Sequence, residues 1–224
     1  MTIDRDGVWT IVVAAGAGSR FGAPKQFLEL GGVRVVDRSV AEAARHSEGV
    51  VVVVPPNPVP DDHHPEIDGD VLLRVVSGGA SRSASVRRGI AAIPNTAKVV
   101  VVHDAARPLV SGSVYQAVIA EIRDGADGAI PVVAVNDSIR NRNGAVVDRD
   151  ELVAVQTPQA FRPDLLRTAH ERGFEATDDA TVVEAAGGAI VFVAGERSNL
   201  KITTPHDLVL AVAWLTRDEA TRAH

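Results

Sequence analysis

Short valine-rich runs set the frame of this sequence. They are VWTIVVAA (8–15), GVVVVVP (49–55), DVLLRVVSGG (70–79), KVVVVHDAA (98–106), GAIPVVAV (128–135) and AIVFVAG (189–195). Each is continuous and β-branched, the composition of a strand buried on both faces in a parallel sheet. Helical patterns lie between them. Val86, Ile90 and Ile93 recur at i, i+4, i+7, and Leu208, Ala211, Val212 and Leu215 at i, i+3, i+4, i+7. Thr204 followed by Pro205 reads as an N-cap and a first helical residue. The alternation predicts one α/β domain over 1–224, a mostly parallel sheet with helices on both faces. One segment breaks it. Residues 136–161 are polar at first, and Asn143-Gly144 is a hairpin signal. An arm is expected over about 136–152, of the kind that mediates oligomer contacts. The proline-rich, acidic stretch 55–70 reads as a surface loop, with His63 and His64 facing solvent.

Bulk properties narrow the function. The chain has 224 residues, 46% apolar and 23% charged, enough for a core of ordinary size. A net charge of −6 argues against nucleic-acid or membrane partners, so an anion site must come from local positive charge. The absence of cysteine excludes disulfides, thiolate metal sites and cysteine nucleophiles, and fits a cytoplasmic protein. The polar start MTIDRDGVW does not read as a signal peptide, and no apolar run approaches the roughly 20 residues of a membrane-spanning helix.

The exit of the first predicted strand, AAGAGSRFGAPKQF (14–27), is the candidate binding loop, because ligands in open α/β sheets sit beyond the carboxyl ends of the strands. A dinucleotide fingerprint needs G-x-G-x-x-G. Gly16, Gly18 and Gly22 give one residue more, and the second strand ends in VVVVPPN without the acid that would take a ribose. A Walker loop needs a Gly-Lys pair, which this region lacks. A plain glycine turn with solvated cations remains open from the loop alone. Small residues at Ala14, Ala15, Gly16, Ala17 and Gly18 let backbone N–H groups approach an anion, and Arg20 and Lys25 add two cations, which suits a triphosphate.

VHDAARP (102–108), AVQTPQAFR (154–162), TDDATVVEAAGG (177–188) and NLKITTPHDL (199–208) follow that loop in order. Together these segments resemble the cytidylyltransferase family of the non-mevalonate isoprenoid pathway, whose members act on 2-C-methyl-D-erythritol 4-phosphate. The resemblance spans roughly 8 to 215. It implies a Rossmann-like three-layer nucleotidyltransferase fold with a protruding β-arm, and transfer of a cytidylyl group from CTP to a polyol phosphate with release of pyrophosphate. The ribitol 5-phosphate cytidylyltransferases share the loop and the QTPQ region, and the residues 137–139 (DSI) fit them too. HDAARP and TDDA favour the erythritol enzymes. A non-catalytic nucleotide-binding domain on the same fold is the other alternative, against which the cations Arg20, Lys25 and Lys201 speak.

The resemblance assigns roles by position. Arg20, Lys25 and Lys201 hold the triphosphate and stabilise the transition state. Ala14 to Gly18, Gly79, Ser85 and Ala105 bind the nucleotide, although Ser83 or Ser85 would equally serve as the cap of the following helix. Asp104, at a strand's carboxyl end, faces the Mg²⁺ of a bound nucleotide, while His103 reads as structural. Arg107 orients the substrate phosphate or meets a neighbouring subunit. Thr157, in QTPQ, and Thr177 line the polyol pocket. Ser138, where threonine is usual, and Arg149 reach the polyol phosphate in the partner's site of a homodimer, with Arg140 on the same arm. The stretch 137–149 is several residues shorter than in typical members. Thr177 also reads as a helix N-cap, with Asp178 and Asp179 in the first turn complementing the dipole.

Overall fold

The computed structural model describes residues 3–222 apart from 17, 19, 20, 23 and 57–69. Ala17, Arg20, His63 and His64 therefore lie outside the described residues. In chain order the elements are β1 (Val8–Val13), β2 (Glu29–Leu30), β3 (Val33–Arg34), α1 (Val35–Arg45), β4 (Gly49–Val54), β5 (Leu72–Ser77), α2 (Arg82–Ala91), β6 (Val99–Asp104), α3 (Gly112–Arg123), β7 (Gly128–Ala134), β8 (Ile139–Arg140), β9 (Val146–Val147), β10 (Val153–Val155), β11 (Gln159–Phe161), α4 (Pro163–Glu171), α5 (Asp179–Ala185), β12 (Ile190–Ala194) and α6 (Pro205–Arg222). All the valine-rich runs are strands.

The main sheet runs β5-β4-β1-β6-β11-β7, and β12 pairs with the other edge of β7. The β1, β4, β5 and β6 pairings are parallel, as is β7 with β12, whereas β11 is antiparallel to both neighbours. β10 pairs with the outer end of β7, on the same edge as β11.

The pleat sorts the strand residues into two cores. Val8 and Val12 of β1, Val50 and Val52 of β4 and Val99 and Val101 of β6 pack with α1 and α3. Their alternates Trp9, Ile11, Val51, Val53, Val100 and Val102 pack with α2, α4 and α5. The three central strands are buried on both faces, as their sequences predict. The edge strands are not: Leu72 and Val75 of β5 are half exposed and Phe192 of β12 is 60% exposed. Each has a neighbour on one side only, so the same composition meets a different environment.

α6 begins at Pro205, and Asp207 accepts the Thr203 and Thr204 N–H groups at 2.8 and 2.7 Å, closing the cap that the sequence announces. Its packing differs from the expected stripe. Ala211 is buried and Leu208 and Leu215 pack against Leu30, Val35 and Ile202, but Val212 faces outward beside Val209 and Leu210. This helix covers a small satellite cluster rather than the sheet, so its buried face is narrow. Among the described residues no helix is long and apolar enough to cross a membrane.

The arm is present as a hairpin. β8 and β9 pair antiparallel around Asn143-Gly144, with Gly144 at φ +92°, a conformation open to glycine. Ser138, Arg140 and Arg149 are exposed along it. Arg149 donates to the Asn136 carbonyl, and Arg140 to the Gly144 carbonyl at 2.8 Å.

Candidate active site

The carboxyl ends of β1, β5 and β6 open onto a cavity of about 460 Å³. Ala14, Ala15, Gly16, Gly18 and Lys25 line it from the first loop, Gly79 and Ser85 from the second, Asp104 and Ala105 from the third, and Lys201 from the segment before α6. Those residues, singled out along the sequence, meet in space. The size lies within the range of small-molecule sites.

The loops are held by hydrogen bonds that sequence reading overlooked. Gln26, buried inside the short 3₁₀ turn Lys25–Phe27, donates its amide to the carbonyls of Ala14 at 2.8 Å and Gly16 at 3.0 Å. That satisfies both carbonyls and ties the loop to the turn that carries Lys25. Ser81, rather than Ser83 or Ser85, caps α2, accepting the Ala84 N–H at 3.0 Å. Ser85 accepts the Gly79 N–H at 3.1 Å and donates to the Ser81 carbonyl at 2.8 Å, folding the glycine loop onto the helix. A side chain at position 78 would collide with Ala15, so Gly78 is what lets the two loops touch.

Charge is organised around Asp104. Its Oδ2 lies 2.6 Å from Lys201 Nζ and its Oδ1 3.3 Å from Arg82 Nε. Burial alone would raise its carboxyl; Arg82 and Lys201 outweigh that and hold it well below the usual carboxylate range. Arg82 continues inward, with Nη1 2.8 Å from Oδ2 of Asp179, whose Oδ1 meets His170 Nε2 at 3.1 Å. Burial works against the Arg82 charge, but Asp179 and Asp104 reverse the balance and hold it firmly protonated. Asp179 is thus a fully buried ion-pair partner as well as the first residue of α5, and the N-cap is Asp178 rather than Thr177, because it is the Asp178 carboxylate that accepts the Thr181 N–H.

Behind Asp104 stands a neutral imidazole. His103 Nε2 donates to the Arg107 carbonyl at 3.2 Å, which leaves Nδ1 to accept from the Thr157 hydroxyl, also at 3.2 Å. The Thr157 oxygen in turn accepts the Asp104 N–H at 3.0 Å. Burial pushes His103 down to about 4. Thr157 is 4% exposed and sits behind the cavity wall. Arg107 donates to the carbonyls of Asn199 at 2.8 Å and Val155 at 3.4 Å. Asn199 donates to Gln156 Oε1 and to the Thr157 carbonyl, and the Ile202 N–H bonds the Ala106 carbonyl. These contacts pin the segment carrying Lys201. Thr177 is exposed beside Asp178, and neither it nor Ser138 nor Arg149 reaches the cavity wall.

Among the described residues Asp104 is the one acid at that wall, and no group of three or more His, Cys, Asp or Glu side chains could hold a metal. This donor set fits a Mg²⁺ ion that takes most of its ligands from phosphate and water.

A family model described as IspD, 2-C-methyl-D-erythritol 4-phosphate cytidylyltransferase, matches residues 8–217. The chain is 43% identical over 220 residues to the 2-C-methyl-D-erythritol 4-phosphate cytidylyltransferase of Frankia casuarinae, covering 94% of this chain and 82% of that protein. It is 41% identical to the bifunctional enzyme IspD/IspF of Nitratidesulfovibrio vulgaris over 90% of its own length, and spans 56% of that relative. Its fold is similar to the crystal structure of the 2-C-methyl-D-erythritol 4-phosphate cytidylyltransferase from Thermus thermophilus, with a TM-score of 0.77, 37% identity, and coverage of 91% and 97% of the two chains.

Proposed function

We propose a reaction for this chain, which belongs to the 2-C-methyl-D-erythritol 4-phosphate cytidylyltransferase family: it joins CTP and 2-C-methyl-D-erythritol 4-phosphate into a CDP-polyol and releases pyrophosphate, a step toward isoprenoid precursors. The observation that carries this reading is the meeting of Lys25, Lys201, Asp104 and the glycine loop at one cavity.

The nucleophile is a phosphate monoester, ionised at neutral pH, so no general base is required. Among the described residues the site supplies none. His103 is neutral, fully buried and hydrogen-bonded at both nitrogens, and Asp104 is locked as a carboxylate between two cations. What remains is alignment of two anions and stabilisation of charge growing on the α-phosphorus, work for cations and backbone dipoles. The N–H groups of the first loop cradle the triphosphate, with Ala14, Ala15, Gly16, Gly18, Gly79, Ser85 and Ala105 around the nucleotide. Lys25 and Lys201, together with Arg20 and Ala17 outside the described residues, complete the cradle. Mg²⁺, bound by the phosphates and Asp104, would offset triphosphate charge. On the polyol side Arg107 and Thr157 adjoin Asp104, and Thr177 is assigned to the polyol by the family resemblance alone.

Ser138 and Arg149, which are not on the cavity wall of their own chain, act in the site of a second copy, and the exposed Val146 and Leu152 of the arm, with Val153 of β10, form the dimer contact. The protein works in the cytoplasm.

Pyrophosphate release from CTP, measured with 2-C-methyl-D-erythritol 4-phosphate and with ribitol 5-phosphate, tests the reading. Faster release with the erythritol substrate is expected; far better use of ribitol 5-phosphate overturns the substrate assignment.

A further inference from the structure

Asp179 is completely buried and does not reach the cavity wall, yet it is tied to it. Oppositely charged groups alternate inward from the cavity: Lys201, Asp104, Arg82 and Asp179, at 2.6, 3.3 and 2.8 Å in turn. His170 Nε2 donates to the far oxygen of Asp179, and the Asp179 N–H donates to Gln159 Oε1 at 3.3 Å. His170 and Gln159 are themselves buried, so the carboxylate and its backbone are fixed from three directions.

We propose that Asp179 is a positioning residue for the reaction: by holding Arg82 from Nη1, it keeps one oxygen of Asp104 for Lys201 and so sets where the Lys201 ammonium stands in the cavity.

The reason lies in how a guanidinium meets a carboxylate. The two frequently form a fork, with two parallel N–H···O bonds that use both oxygens. Arg82 and Asp104 do not form one. They share a single contact, Nε to Oδ1, long at 3.3 Å, while Oδ2 goes to Lys201 at 2.6 Å. Asp179 accounts for the difference. It draws the guanidinium toward the core as an ion pair without a directed hydrogen bond, since among the described residues neither Arg82 Nη1 nor Asp179 Oδ2 has a hydrogen-bond partner, and Arg82, only 22% exposed, has little water to compensate for a lost counter-charge. Without the Asp179 charge, the guanidinium swings onto both oxygens of Asp104. Lys201 then loses its partner and its place.

The reaction proposed above enters this inference only through its kinetic consequence, and the decisive readout does not depend on it. The lysines of the chain are Lys25, Lys98 and Lys201, so lysine-selective NMR gives one assignable ammonium resonance for Lys201. The variants are Asp179→Asn, Arg82→Met and the two combined. In Asp179→Asn the Lys201 resonance moves and that of Lys98, which pairs with Asp6, stays. In the kinetic arm, kcat falls about tenfold, and adding Asp179→Asn to Arg82→Met costs less than about twofold more, because no guanidinium remains to steer. An unmoved Lys201 resonance in Asp179→Asn overturns the proposal, as do losses that multiply in the double variant. Should Asp179→Asn fail to fold, Arg82→Lys replaces it. A lysine cannot bridge both acids as the guanidinium does, so an unmoved Lys201 resonance there is equally fatal. Wild-type protein without turnover would count against the reaction, while the resonance still judges the positioning.

Discussion

Replacing Thr157 with valine tests the reading of the wall behind Asp104. The two side chains have nearly the same volume, so no cavity forms and the change is confined to one hydroxyl. That hydroxyl is buried and has two partners, the Asp104 N–H at 3.0 Å and His103 Nδ1 at 3.2 Å. Valine satisfies neither. A buried group left without its partner costs about 1–3 kcal/mol, so the pair predicts a loss of roughly 2–4 kcal/mol once partial relaxation is allowed. For a domain of this size each kcal/mol lowers the melting temperature by about 2–4 °C, giving a drop of about 5–15 °C. Thermal unfolding followed by circular dichroism, with urea titration at equal slope, reads it directly. Thr157→Ser keeps the hydroxyl and loses only a methyl group, so it should recover most of the stability. If instead the hydroxyl's main work is on the polyol, as the family resemblance implies for this position, Thr157→Val would spare the melting temperature and raise KM for the polyol phosphate. A melting temperature within about 1 °C of wild type refutes the reasoning.

Other outcomes follow from the same geometry. His103 is pushed from 6.5 to about 4 by burial, so the unfolded chain binds more protons between those values and stability falls as pH drops through that window. The His103 share, roughly 3 kcal/mol, is complete above the unfolded value and gone near pH 4; denaturant titrations at pH 7 and 4.5 should show the decline, with a shallower slope in His103→Gln. Lys201→Ala should lower turnover about 10²–10³-fold with the circular dichroism spectrum intact, the loss typical of one electrostatic donor to a transition state; near-normal turnover removes Lys201 from the mechanism. Val146, 69% exposed on the arm, should be covered in a dimer. Sedimentation should give a dimer for the wild type and monomers for Val146→Glu, and a monomeric wild type would refute the arm contact.

The strands and most of the cavity wall were legible in the sequence because both are local. A continuous β-branched run, a glycine loop at its exit and an acid at a strand's end declare themselves within a few residues. Edge and centre are not local: β5 and β12 have the composition of β4 and β6, and only the strand order separates them. Val212 fits a helical stripe, but how wide a stripe is buried depends on what the helix covers. The Arg82–Asp179 pair joins residues 82 and 179, and nothing in TDDA reveals its partner, since an acid in a first turn is already explained by the helix dipole. Gln26 was overlooked for the opposite reason. It adjoins Lys25, whose charge drew attention, while the neutral amide holds the loop's carbonyls.

A crystal structure with CTP and Mg²⁺ bound will show whether this cavity is the nucleotide site. The triphosphate should lie against the N–H groups of the first loop, within hydrogen-bond reach of Lys25 and Lys201, with the metal on the phosphates and beside Asp104. CTP bound elsewhere, or bound here with both lysines turned away from the phosphates, would contradict this.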